Sequence, residues 1–285
     1  MQKIRAPAKV NIFLEVGKKE EFLHPICSLV DIISLCDYIY IKPSEKTEVE
    51  IVSKWKISEE NTVSKLVSLL KKNFNFEAEI KIEKHIPPGS GLGGGSSDAA
   101  FVLIYLNKLF NLGLKIEDMV KIAKQIGSDV PLFLYKKRCI IKNYGEKVIP
   151  CDDFKLYYLI LIPNFQISTK EVYNKLDELG EYGCLTDCEE RIRILLEEIK
   201  NGDIKKVKDN MFNRLEKSCF EINRQIKEVR YEIEKKTGER FFLSGSGGSL
   251  FSIFKEKEEV AKIEKKIILL EGWKKLRAES IKFSM

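Results

Sequence analysis

The chain is poor in the groups from which many functional sites are built. It has two histidines, His24 and His85, so an imidazole-rich zinc site has little to draw on. Its seven cysteines, at 27, 36, 139, 151, 184, 188 and 219, are odd in number and include no Cys-x-x-Cys pair. At 285 residues the chain is too long for a disulfide-stapled miniprotein, and reduced thiols in a cytoplasmic setting are expected. No metal ligand set is assigned. The longest apolar run, Tyr157 to Pro163, falls far short of a bilayer span, so no membrane partner is expected. The opening residues do not follow the basic, apolar, small-residue order of a secretory signal. No Gly-Lys is followed by Ser or Thr, which removes the Walker A loop. Low-complexity tracts and internal repeats are also missing. The formal charge of +6 is dispersed along the chain, with Lys136-Lys137-Arg138 the densest run. That balance suits a small anionic ligand and argues against a nucleic-acid partner.

What is present is patterned. Residues 8–16 alternate, with Lys9, Asn11, Phe13 and Glu15 on one face and Val10, Ile12, Leu14 and Val16 on the other, which predicts a strand. Residues 28–43 and 48–53 read as further strands, and 58–74 as a helix with Val63, Leu66, Val67, Leu69 and Leu70 in its apolar stripe. The alternating run 77–86 stops at Pro87-Pro88. Two helices follow: one after Ser96, Ser97 and Asp98, read as N-cap residues, and one ending at Gly127. Residues 128–135 read as a turn and an apolar segment, and 138–150 as a hairpin turning near Asn143 and Gly145. The pattern restarts near 152 with a strand, then helical segments at 169–180, 187–201, 203–210 and 219–237. A strand, a second glycine turn, another strand and a basic amphipathic helix complete it. Strands and helices mix without a repeating βα unit, so the expected class is α+β in two domains, 1–152 and 153–285.

The stretch Ile86 to Ala100 holds five glycines and three serines between a strand and an apolar helix. Gly89 to Gly94 satisfies the dinucleotide pattern G-x-G-x-x-G. That fingerprint also needs a parallel strand soon after the helix, with an acidic residue at its end. Here a second helix follows, with Glu117 and Asp118 inside it, so an oxidoreductase is a weak alternative. The shared physics still holds. Glycines let backbone N–H groups approach an anion, and a helix start adds unpaired N–H groups and a positive dipole end. A flexible linker would not need two prolines before it and an apolar helix directly after it.

Three stretches together resemble the motifs of the GHMP kinases, in the same order and spacing and across nearly the whole chain. Pro7 to Val16 resembles the first motif, Pro87 to Ala100 the second and Leu243 to Phe254 the third. The resemblance implies a ribosomal-protein-like N-terminal domain, a C-terminal α+β domain, and phosphoryl transfer from magnesium-bound ATP to an alcohol. It assigns no protein ligand to the magnesium. Pro7-Ala8-Lys9-Val10-Asn11 and Gly127-Ser128-Asp129-Val130-Pro131 resemble the branch whose acceptor is a cytidyl-diphosphate methylerythritol, phosphorylated at its 2-hydroxyl on the non-mevalonate route to isoprenoids. Homoserine- or mevalonate-type acceptors remain alternatives, and the ribosomal-protein likeness leaves RNA binding as a remote one.

By that resemblance Asp129 is the base and Lys9 the cation beside it. Taken alone, they read as a turn residue and a snorkelling surface lysine. The triphosphate is expected over Pro87, Pro88, Gly89, Ser90, Gly91, Leu92, Gly93, Gly94, Gly95, Ser96 and Ser97. Adenine is expected near Asn61 and Lys84, with Asp98 close by. Asn11 is expected to orient the acceptor, and Gly245, Ser246 and Gly247 to close on its diphosphate or on the first glycine loop. His24 and Tyr173 are expected at the cytosine. The chain departs from the family there. Asp-Gly-Tyr-His becomes Glu21-Phe22-Leu23-His24, so the stacking tyrosine is lost unless Phe22 replaces it.

Overall fold

The computed structural model describes residues 2–152 and 154–283. Its chain forms two compact units, each assembled from separate stretches. The first takes the residues up to Lys9, Leu35–Pro88 and Gly93–Lys136; the second takes Val10–Ser34, Gly89–Leu92 and the chain from Lys137 onward. A single cut near 152 does not reproduce this division. The two opening strands, at 15 and 18 residues, each contribute to both units, which a linear boundary cannot express. Asp153, where the sequence reading starts its second domain, lies outside the described residues.

In the first unit the early part of β1 (Gln2–Val16) neighbours the later part of β2 (Ile26–Pro43). β3 (Glu48–Val52) pairs in parallel with β4 (Ala78–Glu83), which pairs antiparallel with β2, Ile39 opposite Ile82. Between β3 and β4, α1 (Thr62–Lys71) buries Val63, Leu66, Val67 and Leu70, the i, i+3, i+4, i+7 stripe expected of a one-faced helix. Burying each such side chain contributes roughly 1.5–3 kcal/mol. α2 (Gly94–Leu109) packs against α1, α3 (Ile116–Ile126) and α4 (Val130–Leu134). α4 occupies the segment read as a turn and an apolar run. Pro131 falls in its first turn, where a missing N–H costs nothing. Gly127 is the C-cap of α3, in extended rather than left-handed backbone (φ 176°).

In the second unit β5 (Cys139–Asn143) pairs antiparallel with the early part of β2 and with β6 (Lys147–Pro150). The turn between β5 and β6 falls at Asn143 (φ 59°) and Gly145 (φ 102°), as the sequence indicates. β7 (Tyr157–Ile162) lies inside a second sheet. The chain continues through α5 (Thr169–Leu179), α6 (Cys188–Asn201), α7 (Ile204–Asn210), the short β8 (Phe212–Asn213) and α8 (Glu216–Ile222). α9 (Arg224–Thr237), β9 (Phe242–Leu243), β10 (Leu250–Phe254), α10 (Lys257–Lys266) and β11 (Lys274–Glu279) complete it. The second sheet runs β11-β7-β10-β9. Residues 219–237 are two helices, broken at Asn223, whose side chain accepts from the Gln225 N–H and caps α9. β8 pairs in parallel with β1, Phe13 opposite Phe212. β1 is therefore an interior strand, and both of its faces are buried: Lys9, Asn11 and Glu15 as well as Val10 and Ile12.

The expectation of reduced thiols is corrected at one pair. Cys27 on β2 and Cys188 at the start of α6, 161 residues apart, form a disulfide with their Cα atoms 6.3 Å apart. Such a pairing leaves no motif in the sequence. Cys36, Cys139, Cys151, Cys184 and Cys219 are in no disulfide. Among the described residues no helix is long and apolar enough to cross a membrane.

Candidate active site

The first unit contains the head of α2. The N-cap is Gly93, in the left-handed region at φ 72°, and the helix begins at Gly94. Ser96, Ser97 and Asp98 are therefore inside the helix and not its caps. Ser97 is the first residue whose N–H bonds back along the helix, to the Gly93 carbonyl at 2.9 Å. No side chain caps this end, and its first turn carries no acidic residue. The N–H groups of Gly94, Gly95 and Ser96 have no intrahelical acceptor, as at any helix start. The Ser97 hydroxyl is fully buried with no hydrogen-bond partner. Thr62, the first residue of α1, donates its hydroxyl to the Gly95 carbonyl at 2.7 Å and ties the two helix starts together.

Lys9 and Asp129 come together at this head. The Lys9 ammonium is 3.7 Å from Asp129 Oδ2. Its side chain is 5% exposed and that of Asp129 is 37% exposed, so the pair has one dry and one open member. A Cβ on Gly93 would meet Lys9 Cγ at 3.0 Å and Phe133 at 3.1 Å, which puts the lysine stem directly against the helix N-cap. Burial pushes the Lys9 ammonium below its ordinary pKa, and the charge and hydrogen bond of Asp129 oppose that shift. Asp129 is the N-cap residue of α4, but its side chain makes no capping bond and is left to face Lys9. The surface-lysine reading is removed, whereas Asp129 does sit in a turn, closed by the Val130 N–H on the Gly127 carbonyl at 3.1 Å.

Lys84, at the end of β4, is buried. Its ammonium contacts Asp37 Oδ2 and lies 2.6 Å from Asp98 Oδ2. Asn61, expected at the adenine, has its side chain committed elsewhere. Its oxygen accepts from the N–H groups of Val63 and Ser64 as the N-cap of α1, and its amide donates to the carbonyls of Ser58 and Glu59. A pocket of about 370 Å³ lies beside Lys84, lined by Val52, Ser53, Lys54, Trp55, Glu83 and His85. Pro87 and Pro88 follow directly on the buried Ile86 and lead the chain into the glycine loop.

In the second unit Gly89–Leu92 packs on the third motif. The Ser244 hydroxyl donates to the Gly91 carbonyl at 2.9 Å, and the Ser249 N–H to the Ser90 carbonyl at 3.1 Å. Gly89 accepts from the Ile167 N–H at 3.2 Å, and Leu92 is fully buried. Gly245 and Gly247 have φ 55° and 100°. The Gly245 carbonyl accepts from Asn213 Nδ2 at 2.8 Å, and the Ser246 and Thr169 hydroxyls share a 2.8 Å hydrogen bond. The third glycine turn thus closes on the first glycine loop.

Asn11 donates from Nδ2 to the Ser28 hydroxyl at 2.9 Å, which in turn donates to the Phe13 carbonyl at 2.6 Å. His24 is buried among aromatic groups. Its Nδ1 is 3.0 Å from the Gly17 carbonyl and its Nε2 is 3.2 Å from Asp177 Oδ1, so both ring nitrogens face protein atoms. Tyr173 lies 5.2 Å from the imidazole in a tilted arrangement, and Tyr182 stacks at 5.9 Å. The Tyr182 hydroxyl donates to Asp177 Oδ1 at 3.0 Å. Phe22 and Leu23 are 86% and 58% exposed in the β1–β2 turn, which the Glu20–Leu23 bridge closes. Sequence reasoning named His24 and Tyr173 and missed Asp177 and Tyr182. Asp177 is one helical turn beyond Tyr173 on α5, a spacing that places both on one face.

Residues 61–137 match the family model of the GHMP kinases N terminal domain, and residues 195–268 that of the GHMP kinases C terminal. The chain is 33% identical to the 4-diphosphocytidyl-2-C-methyl-D-erythritol kinase of Clostridioides difficile (strain 630), over 94% of this chain and 91% of that protein. It is 36% identical to the protein of the same name from Thermodesulfovibrio yellowstonii, over 90% and 91%. A crystal structure of 4-(cytidine 5'-diphospho)-2C-methyl-D-erythritol kinase matches with a TM-score of 0.78 at 25% identity, covering 99% of this chain and 100% of that one. The helix that follows α2, where a dinucleotide fold needs a parallel strand, removes the oxidoreductase alternative. The chain belongs to the GHMP kinases, in the family of the 4-diphosphocytidyl-2-C-methyl-D-erythritol kinases.

Proposed function

We propose that the chain transfers the γ-phosphoryl group of ATP to the 2-hydroxyl of 4-diphosphocytidyl-2-C-methyl-D-erythritol, in the cytoplasm, on the non-mevalonate route to isoprenoid precursors. One observation carries the proposal: a dry lysine, paired with a half-open aspartate, sits against the uncapped start of a helix. Phosphoryl transfer asks for positioning and charge neutralisation more than for covalent work. The N–H groups of Gly94, Gly95 and Ser96 and the positive end of α2 suit the β- and γ-phosphate oxygens. Asp129 accepts the acceptor's hydroxyl proton as its oxygen bonds to phosphorus. The bond from the γ-phosphorus to the β,γ-bridging oxygen breaks, and ADP leaves with the electron pair. Lys9 holds positive charge beside the oxygens on which negative charge grows. Magnesium, when bound with ATP, supplies further neutralisation of the phosphates. The buried Ser97 hydroxyl, without a protein partner, fits an oxygen ligand to that ion or to a phosphate.

The test is an acceptor panel. The protein is incubated with ATP and, in turn, the cytidyl methylerythritol, homoserine and mevalonate, while ADP release is followed. Turnover is expected with the cytidyl compound alone; turnover with only homoserine or mevalonate would overturn the substrate assignment.

We place the cytosine at the aromatic cluster of Tyr173 and Tyr182, with His24 as its buried support. A stacked base–aromatic contact contributes ~1–3 kcal/mol, so Tyr182→Leu should raise the acceptor KM about five- to 150-fold. The ATP KM should stay unchanged. An unchanged acceptor KM in Tyr182→Leu and in Tyr173→Leu would remove the cytosine from this cluster.

A further inference from the structure

Trp55 lies in the loop that joins β3 to α1, half-buried and outside the buried core. The chain's other tryptophan, Trp273, is buried in the core of the second unit. An indole held part-exposed on a loop keeps apolar area for a partner to cover. Two contacts fix it. The Trp55 backbone N–H donates to the Ser53 hydroxyl at 3.0 Å. The Lys54 ammonium lies 4.5 Å from the centroid of the indole, a cation–π contact that orients the ring.

The indole lines the pocket of about 370 Å³ beside Lys84, with Val52, Ser53 and Lys54 on the β3 side and Glu83, Lys84 and His85 on the β4 side. That volume falls in the range of small-ligand sites, ~300–1,000 Å³. The two strand ends are tied together, because the Lys84 N–H donates to the Val52 carbonyl at 2.9 Å. The His85 N–H donates to Asp37, and its ring meets that of Tyr38 edge-on at 5.3 Å. The pocket is thus built on secured backbone.

Its lining suits a flat, neutral group better than an anion. Lys54 and Glu83 carry opposite charges, and the Lys84 ammonium is held by Asp37 and Asp98. The positive end that phosphates seek is next door, at the head of α2. A Cβ on Gly94 would sit 3.2 Å from the Lys84 ammonium, so Lys84 touches both the pocket and the helix start. A ligand with a flat ring at one end and phosphates at the other matches both places. Asn61, further along the same loop, spends its side chain on the cap of α1 and on the carbonyls of Ser58 and Glu59, which leaves the ring to another partner.

We infer that the purine ring of the nucleotide stacks on Trp55, which sets nucleotide affinity through the base and not through the phosphates. The inference rests on the nucleotide site proposed above. Its experiment uses two probes: a magnesium-bound, non-hydrolysable ATP analogue, and magnesium tripolyphosphate, which has no ring. Emission is read from Trp273→Phe, in which Trp55 is the only tryptophan. The analogue should quench that emission saturably, and tripolyphosphate should not. Trp55→Leu should raise the ATP KM about five- to 150-fold, the scale of a lost base–aromatic stack, with kcat and the acceptor KM much less affected. Trp55→Phe keeps a ring and should recover part of that loss. Tripolyphosphate should inhibit wild type and Trp55→Leu equally, because it meets only the helix start; a merely structural role for the indole would weaken both probes alike. A wild-type ATP KM in Trp55→Leu, or equal weakening of the two probes, would overturn the inference. Should Trp55→Leu fail to fold, the emission of Trp273→Phe decides alone: quenching by the analogue and not by tripolyphosphate upholds the stack, and any other result removes it. Failure of both probes to bind wild type would instead defeat the nucleotide site itself.

Discussion

Asp129→Asn is expected to lower kcat by about 10²–10⁴-fold, the usual contribution of a positioned proton acceptor, while nucleotide affinity stays near that of wild type. Asparagine keeps the size of the side chain and one acceptor oxygen, so the start of α4 should persist; Asp129 makes no capping bond there to lose. What disappears is a group that can take a proton. The separation of the two effects follows from geometry. Nucleotide is expected on the N–H groups at the start of α2, whereas Asp129 faces Lys9, whose stem lies against the Gly93 N-cap. Lys9 is 4% exposed and loses its counter-charge in the variant, so a lower Tm should accompany the loss of turnover. Single-turnover ADP formation and titration with a non-hydrolysable analogue check the two halves. A variant that turns over like wild type would take the base role away from Asp129.

The second large effect is expected from Gly91→Ala. Gly91 has φ 76°, and a Cβ there would lie 2.0 Å from the Ser244 carbonyl oxygen and 3.0 Å from that of Gly247. Both obstacles are backbone, and neither is free to retreat. Ser244 and Ser249 are hydrogen-bonded to each other, and the Gly247 N–H donates to the Ser244 carbonyl. The loop must therefore move off the third motif and lose the Ser244–Gly91 bond. Backbone strain of ~1–3 kcal/mol corresponds to about five- to 150-fold weaker nucleotide binding, with a fall in Tm. Gly113→Ala is the control. Its φ of 72° is equally left-handed, yet nothing lies within 4 Å of its Cβ position. That variant should bear a modest Tm cost and bind nucleotide normally. Equal affinities in the two variants would show that the contact with Ser244 does not shape the loop.

What the sequence revealed and what it hid divide along physical lines. Period-2 alternation over 8–16 and period-3.6 spacing over 63–70 are local, and both appear in the structure as β1 and α1. The glycine loop before α2 was legible because left-handed backbone has a compositional signature: Gly89, Gly91 and Gly93 all have positive φ. Its helix start was misplaced by a few residues because Ser96, Ser97 and Asp98 are good caps, whereas the true N-cap, Gly93, works by backbone conformation alone. Features that depend on distant pairing were invisible. Cys27 meets Cys188, Asp37 meets Lys84, and Tyr182 reaches His24, none with a spacing to betray it. β8 is two residues long and exists only because β1 offers an edge to pair with. The sequence reading groups Lys84 and Asp98 near the adenine but holds no sign of Asp37, the second carboxylate on that ammonium.

The bare start of α2 carries one more consequence. A helix that begins without a side chain to satisfy its first amides is open to an anion, so a nucleotide bound there, as proposed above, would stabilise the fold as well as react. By mass action a ligand at about a hundred times its Kd adds about 2.7 kcal/mol to the folded state.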